Sequence, residues 1–134
     1  MSAFEWSGRV MGCPRPRVTR SGHAYMPDAY TAYRDALGAA YGAAGGEHHG
    51  SAPVSVHIDV MRALPKSRPK RVASEPDLGK PDLDNVAKAV LDALNGVAYD
   101  DDSQVVSLVV NKLPRERRDS DALRVRVARW MEEE

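Results

Sequence analysis

The sequence contains one cysteine, Cys13, and no long run of apolar residues. A single cysteine excludes an internal disulfide and fits a reducing compartment, so we interpret Cys13 as a small, half-buried residue. No segment approaches the ~20 consecutive apolar residues that a membrane span needs. The first ten residues, MSAFEWSGRV, lack the apolar region of a secretory signal. We therefore expect a cytoplasmic protein without membrane attachment.

The chain also lacks net charge, because 19 Lys and Arg residues balance 19 Asp and Glu residues. A net charge of zero argues mildly against nucleic-acid binding, but basic and acidic residues are separated along the chain. Residues 9–20 and 62–72 carry basic side chains and no acid, whereas residues 75–102 are mostly acidic. Phosphate binding around a cation-dependent centre needs both signs. Charge runs are more often solvated faces, so the pattern alone decides little.

Hydrophobic periodicity predicts the order strand, helix, strand, helix, strand, strand. The Val-rich fifth element is expected to be a central strand with both faces buried. Asp84 is expected to cap the second helix. The pattern predicts one domain over residues 1–134, a two-layer α+β fold with a mixed β-sheet and two main helices. The predicted elements are a strand at 3–11, a helix at 27–44, a strand at 54–61, a helix from Asp84 to Asn95-Gly96, and strands at 104–113 and 123–127.

Three remaining segments are expected to be irregular or short. Residues 13–22 and 64–80 are rich in proline and are expected to lack regular structure. Residues 23–26 are compatible with a short return strand. The last residues, 132–134, are expected to form a solvated acidic tail.

Acidic residues concentrate around the second helix. Asp82 and Asp84 are one residue apart in a segment that enters this helix, and extended-chain alternation would point both side chains the same way. Lys88 follows one turn beyond Asp84, and Asp92 one turn beyond Lys88. Residues 100–102 are three aspartates that lead into the Val-rich strand. If that strand runs beside the N-terminus of the helix, one of these three acids could approach Asp82 and Asp84.

Crowded carboxylates repel one another unless a cation joins them. Oxygen ligands without histidine or thiolate suit Mg²⁺ or Mn²⁺ rather than zinc, and such a metal supports phosphodiester hydrolysis by activating water. A purely structural interpretation also fits, with Asp84 as a helix cap paired to Lys88 and residues 100–102 as an acidic turn. Spacing alone slightly favours the structural interpretation and does not settle the question.

The segment from Lys80 to Val110 resembles the signature of the RusA family of Holliday junction resolvases. In that signature a D-L-D-N motif opens a helix bearing a lysine, D-A-L follows, and an acidic D-D-x-Q leads into a strand. A looser resemblance continues through residues 14–27 and the strand at 54–61, so it covers nearly the whole chain. The matching residues are Asp82-Leu83-Asp84-Asn85, Lys88, Asp92-Ala93-Leu94, Asn95-Gly96 and Asp101-Asp102-Ser103-Gln104.

The resemblance implies a Mg²⁺-dependent endodeoxyribonuclease, with Mn²⁺ as a possible substitute, that resolves four-way DNA junctions by paired symmetric nicks. Asp82, Asp84 and Asp102 would be the catalytic carboxylates that bind the metal. Lys88 would be the catalytic lysine. The two aspartates before Asp102 stay open as alternatives for the third ligand. No organic cofactor is expected.

The same resemblance assigns supporting roles. Asn85 would cap the helix or stand behind the ligands, and Asp92 would pair with Lys88. The family also implies an intertwined homodimer, whose two-fold axis matches the approximate symmetry of a four-way junction. Basic residues of the two acid-free segments would hold the DNA arms through phosphates; these are Arg15, Arg17, Arg20, Lys66, Arg68, Lys70 and Arg71.

Two alternative functions remain open. A catalytically silent homologue that binds branched DNA is disfavoured because the three carboxylates and the lysine are all present. A phosphohydrolase acting on a small nucleotide is disfavoured by the basic segments and by the absence of a Gly-rich phosphate cradle.

Overall fold

The computed structural model describes residues 1–130, so the tail expected at 132–134 lies outside the described residues. Neither of its helices combines the length and the apolar character needed to cross a bilayer, within the part of the chain described. In chain order the elements are β1 (Ser2–Ser7), β2 (Arg17–Val18), β3 (Ala24–Tyr25), α1 (Asp28–Ala43), β4 (Val54–Met61), β5 (Ser74–Glu75), α2 (Leu83–Leu94), β6 (Val105–Lys112), β7 (Arg115–Glu116) and β8 (Ala122–Arg129).

Four strands form the main sheet in the order β1-β8-β4-β6. β8 runs antiparallel to both β1 and β4, and β6 runs parallel to β4. Two short pairs, β2 with β3 and β5 with β7, form separate ribbons. The expected α+β fold with a mixed sheet and two main helices is therefore confirmed. The intertwined homodimer stays a prediction.

The core forms where the apolar stripes of both helices meet one face of the sheet. Val54, Val56, Ile58 and Val60 alternate along β4 and are buried, as the period of a strand requires. The α2 stripe of Val86, Val90 and Leu94 belongs to the same cluster. Each of these buried side chains contributes roughly 1.5–3 kcal/mol. α2 ends before Gly96, whose φ of 74° is readily adopted only by glycine.

The expected central position of the Val-rich strand is wrong. Within residues 1–130, β6 lies at the edge of the sheet and pairs with β4 alone, and β4 and β8 occupy the centre. Val106, Leu108 and Val109 are 54%, 43% and 45% exposed. A run of β-branched residues identifies a strand but does not say which elements cover it.

Three local expectations also need correction. Residues 13–22 and 64–80 are not wholly irregular, because they contain β2 and β5. The first strand ends at Ser7 rather than residue 11. α2 begins at Leu83, so Asp82 and not Asp84 occupies the N-cap position.

Candidate metal and nucleic-acid site

The two aspartates of the D-L-D-N motif lie at the N-terminus of α2. Asp82 has the extended backbone of an N-cap residue, but its side chain makes no capping hydrogen bond. Its carboxylate instead accepts hydrogen bonds of 2.9 and 3.0 Å from Nζ of Lys80. Asp84 lies in the first helical turn and is exposed. The expectation of simple extended alternation is wrong, but both carboxylates stand at the positive end of the helix dipole.

The chain between β1 and β2 lies directly against the start of α2. The backbone N–H of Cys13 donates to the carbonyl of Asn85 at 3.0 Å. A Cβ added at Gly12 would stand 2.9 Å from Cβ of Pro81 and 3.1 Å from Cβ of Asn85, so only glycine fits this approach. Asn85 therefore contributes through its backbone, and the supporting role expected of its side chain stays a prediction.

A buried ion-pair network fixes the loop that precedes Asp82. The side chain of Asp77 has no exposed surface, and its Oδ1 accepts from Nε of Arg115 at 3.2 Å and Nη1 of Arg62 at 3.4 Å. Nζ of Lys112 donates to the carbonyl of Gly79 at 2.6 Å. This network was not anticipated from the sequence, since nothing in the local pattern marks Asp77 as buried.

The three consecutive aspartates differ in whether their carboxylates already have partners. Asp101 caps the 3-10 turn Asp102–Gln104, and its Oδ2 accepts from the backbone N–H of Ser103 at 3.0 Å. Hydrogen bonds from Ser103 hold the pKa of Asp101 below its usual value. Asp100 lies 3.6 Å from Nε2 of His48. The Asp102 carboxylate is exposed and makes no hydrogen bond or ion pair within residues 1–130. Its role as the third ligand stays a prediction.

Gln104, the last residue of the D-D-x-Q motif, ties the acidic turn to the body. Its Oε1 accepts from the backbone N–H of Asp101 at 2.8 Å. Its Nε2 donates to the carbonyls of Gly50 and Ala52 at 2.7 and 2.8 Å. Sequence reasoning missed this positioning role, and its only signal was the glutamine of the motif itself.

The start of α2 lies beside the middle of β6, away from the acidic turn that precedes this strand. Leu108 and Val110 of β6 line a groove of about 520 Å³ together with Leu83 and Asp84. The hydroxyl of Tyr99, just before the turn, donates to the carbonyl of Leu91 near the end of α2. At 1.5 Å per residue, the seven residues from Asp84 to Leu91 span about 10 Å.

Burial, followed by the charges of Asp102 and Asp92, raises the pKa of Tyr99. The turn Asp102–Gln104 begins three residues after Tyr99, so it lies towards this later part of α2. β6 therefore runs beside the N-terminus of α2 at its middle, whereas the acidic turn that precedes β6 lies nearer the other end of the helix. Within residues 1–130, no three His, Cys, Asp or Glu side chains come together closely enough to hold a metal ion. A site combining Asp82, Asp84 and Asp102 stays a prediction that one chain alone does not assemble.

Lys88 and Asp92 do not form the expected ion pair. Oδ2 of Asp92 instead accepts from the hydroxyl of Tyr30 at 2.9 Å, across the contact between α1 and α2. Burial, followed by hydrogen bonds with Cys13 and Asp92, raises the pKa of Tyr30. Lys88 is exposed and has no ion-pair partner in the described part of the chain, so its ammonium is free to meet a phosphate.

The two basic segments differ in how far their cations are already engaged. The hairpin cations Arg15, Arg17 and Arg20 are exposed. Nε of Arg68 donates to both carboxylate oxygens of Glu75 at 3.2 and 2.9 Å, which raises the pKa of Arg68. Lys66, Lys70 and Arg71 are exposed and, within residues 1–130, unpaired. All seven DNA-binding roles stay predictions.

Arg117 organises the second basic loop from outside. Its Nη2 donates to the carbonyls of Arg68, Pro69 and Val72 at 3.2, 2.8 and 3.1 Å. The loop expected to be irregular therefore has a defined backbone that presents its free lysines to solvent.

The donor chemistry at the start of α2 suits a hard divalent cation. Asp82 and Asp84 offer carboxylate oxygens to such a cation. The side chain of Asp82 is 52% exposed, and Asp84 is exposed as well. Mg²⁺ commonly takes one or two carboxylates and completes its shell with water and phosphate oxygens. Two carboxylates are therefore sufficient to begin such a site.

Comparison with known proteins identifies the family of the chain. The family model for endodeoxyribonuclease RusA matches residues 7–128, which include both basic segments and all the candidate acids. The uncharacterized protein YqaN of Bacillus subtilis (strain 168) is 47% identical over 68 residues, which cover 45% of this chain and 48% of that protein. The chain thus spans about half the length of this curated relative. The resemblance predicted from the Lys80–Val110 signature is confirmed: the chain belongs to the RusA family of endodeoxyribonucleases.

Proposed function

We propose that this protein is a Mg²⁺-dependent endodeoxyribonuclease that resolves four-way DNA junctions by paired nicks. The observation that carries the proposal is the family match over residues 7–128, which includes two exposed carboxylates at the start of α2. Basic residues lie on a hairpin that emerges beside this helix end. A nuclease needs this combination because the cation and the DNA phosphates must meet at one place.

Each residue has a defined task in the proposal. Asp82 and Asp84 would hold the metal, which when bound supplies an activated water and neutralises developing phosphate charge. Lys80, now hydrogen-bonded to Asp82, would turn to a phosphate once its partner carboxylate is engaged. Lys88, one turn beyond Asp84, would contact a phosphate oxygen and stabilise the transition state electrostatically. The hairpin arginines would position the strand without reading its sequence.

The homodimer belongs to the same proposal. β6 is an edge strand with exposed apolar side chains, and such edges pair readily with another chain. β6 also separates Asp102 from Asp84, so a second copy at this edge could bring a further carboxylate to each site. A two-fold pair of sites would match the symmetry of the junction and allow two equivalent cuts.

A catalytically silent homologue that binds branched DNA is the second candidate. It is favoured by one observation, that one chain does not bring three acids together within residues 1–130. It would use the same basic surfaces and differ only in the absence of cleavage.

The test is cleavage of a labelled synthetic four-way junction, with and without Mg²⁺, beside a linear duplex of the same sequence. The test variant is Asp84→Asn. The matched control is Asp28→Asn, because Asp28 is also an exposed acid in the first turn of a helix. We expect paired symmetric nicks by the wild type and by Asp28→Asn, and none by Asp84→Asn, which should still bind the junction.

Each contrary outcome selects a different conclusion. Near-normal cutting by Asp84→Asn would defeat the metal-site assignment. Tight junction binding without cleavage, in Mg²⁺ or Mn²⁺, would establish the silent homologue. Cutting of one strand only would contradict the two-site dimer, and competition by free nucleotides would point to a small-molecule phosphohydrolase.

A further inference from the structure

The hairpin of residues 15–25, built on β2 and β3, stands out from the body of the protein. All of its residues are exposed, and in the described part of the chain its two strands pair only with each other. Its tip is ordered by its own polar groups, since Oγ of Ser21 lies 3.0 Å from both Oγ1 of Thr19 and Nδ1 of His23. The backbone N–H of Thr19 donates to the carbonyl of His23 at 2.9 Å. The hairpin is therefore a defined projection.

Strand register places an aromatic ring and a cation on one face of this hairpin. Arg17 pairs with Tyr25, and Val18 pairs with Ala24. Residues directly opposite in an antiparallel pair share a face, so Arg17 and Tyr25 lie on one side and Val18 on the other. The Arg17–Tyr25 side, which we call the hairpin face, combines a flat ring with a guanidinium group.

Tyr25 differs from every other tyrosine of the chain. The chain has five tyrosines. Tyr30, Tyr33, Tyr41 and Tyr99 are 0–5% exposed, whereas Tyr25 is 47% exposed. Isolated exposed apolar residues are common, so exposure alone would carry no inference.

The charge around Tyr25 narrows the choice of partner. Residues 6–27 contain no acid, and Arg15, Arg17 and Arg20 all belong to the hairpin. An exposed ring within a purely cationic segment complements a polyanion that carries flat rings of its own. Single-stranded or unstacked nucleic acid has this chemistry, because arginines follow its phosphates and aromatic side chains stack on its bases.

The hairpin emerges where the candidate metal ligands lie. Just before it, Cys13 donates to the carbonyl of Asn85, and Gly12 lies against Pro81 and Asn85 at the start of α2. Just after it, α1 begins and Tyr30 bonds Asp92 on the same helix α2. The segment before the hairpin is thus anchored at the start of α2, beside the candidate metal ligands, and the segment after it is anchored further along the same helix.

We propose that the hairpin face is a stacking platform for a nucleobase that is unstacked at the branch point of DNA, with Arg17 binding an adjacent phosphate. The proposal rests on the proposed function and adds to it the residue that distinguishes branched from continuous duplex DNA. A duplex offers no free base face, so the platform acts only on the branch. Aromatic stacking on one base corresponds to about a 5- to 100-fold change in affinity.

The experiment measures binding without divalent cations, so that no substrate is cut. The DNAs are a four-way junction with 2-aminopurine at the branch and a linear duplex of the same sequence. The variants are Tyr25→Ala, Tyr25→Phe, which keeps the ring, and Val18→Ala as the matched control on the opposite side of the hairpin. Thermal unfolding verifies that each variant folds.

We expect Tyr25→Ala to bind the junction about 5- to 100-fold more weakly than the wild type and the duplex equally well. The change in 2-aminopurine fluorescence that the wild type produces on binding the junction should be absent with Tyr25→Ala. Tyr25→Phe and Val18→Ala should behave as the wild type. Wild-type junction binding by Tyr25→Ala, or an equal loss on junction and duplex, would overturn the platform while leaving the nuclease proposal standing.

Failure of the proposed function has a different signature. If the wild type binds the junction no more tightly than the duplex, branch selectivity is absent and the proposed substrate is wrong. In that case the stacking platform is tested by binding to a single-stranded oligothymidine of about 15 nucleotides. If the platform exists, Tyr25→Ala binds this oligonucleotide at least about five-fold more weakly than the wild type does. Equal binding of that oligonucleotide would overturn the platform as well.

Discussion

Replacing Asp77 by alanine should strongly destabilise the protein. The Asp77 side chain is fully buried, and Arg62 and Arg115 on either side of it are each only 16% exposed. Removing the Asp77 carboxylate leaves two largely buried guanidinium groups without their shared anion. Breaking a buried ion pair in this way lowers the free energy of unfolding by about 3–5 kcal/mol. Arg62 keeps an ion pair with Asp121 at 3.6 Å, and Arg115 keeps a hydrogen bond to the carbonyl of Ala63. We therefore expect the lower end, about 3 kcal/mol.

Urea unfolding followed by circular dichroism measures this loss. With an m-value of roughly 2 kcal/mol per molar urea, a loss of about 3 kcal/mol lowers the midpoint by about 1.5 M. Glu75→Ala is the matched control. Glu75 lies two positions before Asp77 in the chain, and its ion pair with Arg68 is at the surface. Exposed ion pairs contribute little, so the control should shift the midpoint far less. Equal shifts for Asp77→Ala and Glu75→Ala would refute the buried-network argument.

Two further predictions concern pH and salt. Burial raises the pKa of Tyr33 to about 12, well above the usual value for tyrosine. The neutral hydroxyl therefore stabilises the fold fully below about pH 10, and that stability is lost as the pH rises towards 12. Urea midpoints of Tyr33→Phe should therefore fall less steeply than those of the wild type above pH 10, and parallel curves would contradict this. Lys70→Glu should weaken junction binding and lower the salt slope by at least about one, because Lys70 is unpaired within residues 1–130. Arg68→Glu should have a smaller effect on the slope because Glu75 already engages Arg68; equal effects would show that this pairing is lost on DNA.

Most of the main elements could be predicted from hydrophobic periodicity. β4 spans Val54–Met61 as expected, and α1 and the body of α2 follow their helical stripes closely. These segments are predictable because one face of each is buried in a common core, so the period of the pattern is the period of the structure. The family signature was equally readable, since it is a local run of residues.

Tertiary arrangement was harder to predict because it depends on residues far apart in the chain. The Val-rich sequence of β6 is compatible with a central strand, and only the register with β4 shows it to be an edge. Asp92 was expected to pair with Lys88 on its own helix, yet Tyr30 from α1 bonds it across 62 positions of sequence. The spacing of residues along a helix indicates which side chains can form an ion pair. Which contact forms is then decided by how the helices pack.

The candidate site shows why its ligands were predictable and its assembly was not. Asp82 and Asp84 are adjacent in sequence, so their proximity at the start of α2 follows from local structure. The distance of Asp102 from these two acids depends on the relative direction of α2 and β6. The two elements run so that the acidic turn lies towards the far end of the helix. No pattern within either element encodes that direction.

The start of α2 is held from several sides while its carboxylates stay accessible. Gly12 and the carbonyl of Asn85 bind the N-terminal segment to it, and the buried Asp77 network fixes the loop before it. Asp84 itself makes no hydrogen bond or ion pair within the part of the chain described. A rigid backbone around exposed acids is the arrangement expected of a site whose partners are a cation and DNA, because ligands that are fixed in place before binding lose little entropy. A helix cap that served folding alone would instead spend its carboxylates on its own N–H groups, which Asp82 does not do.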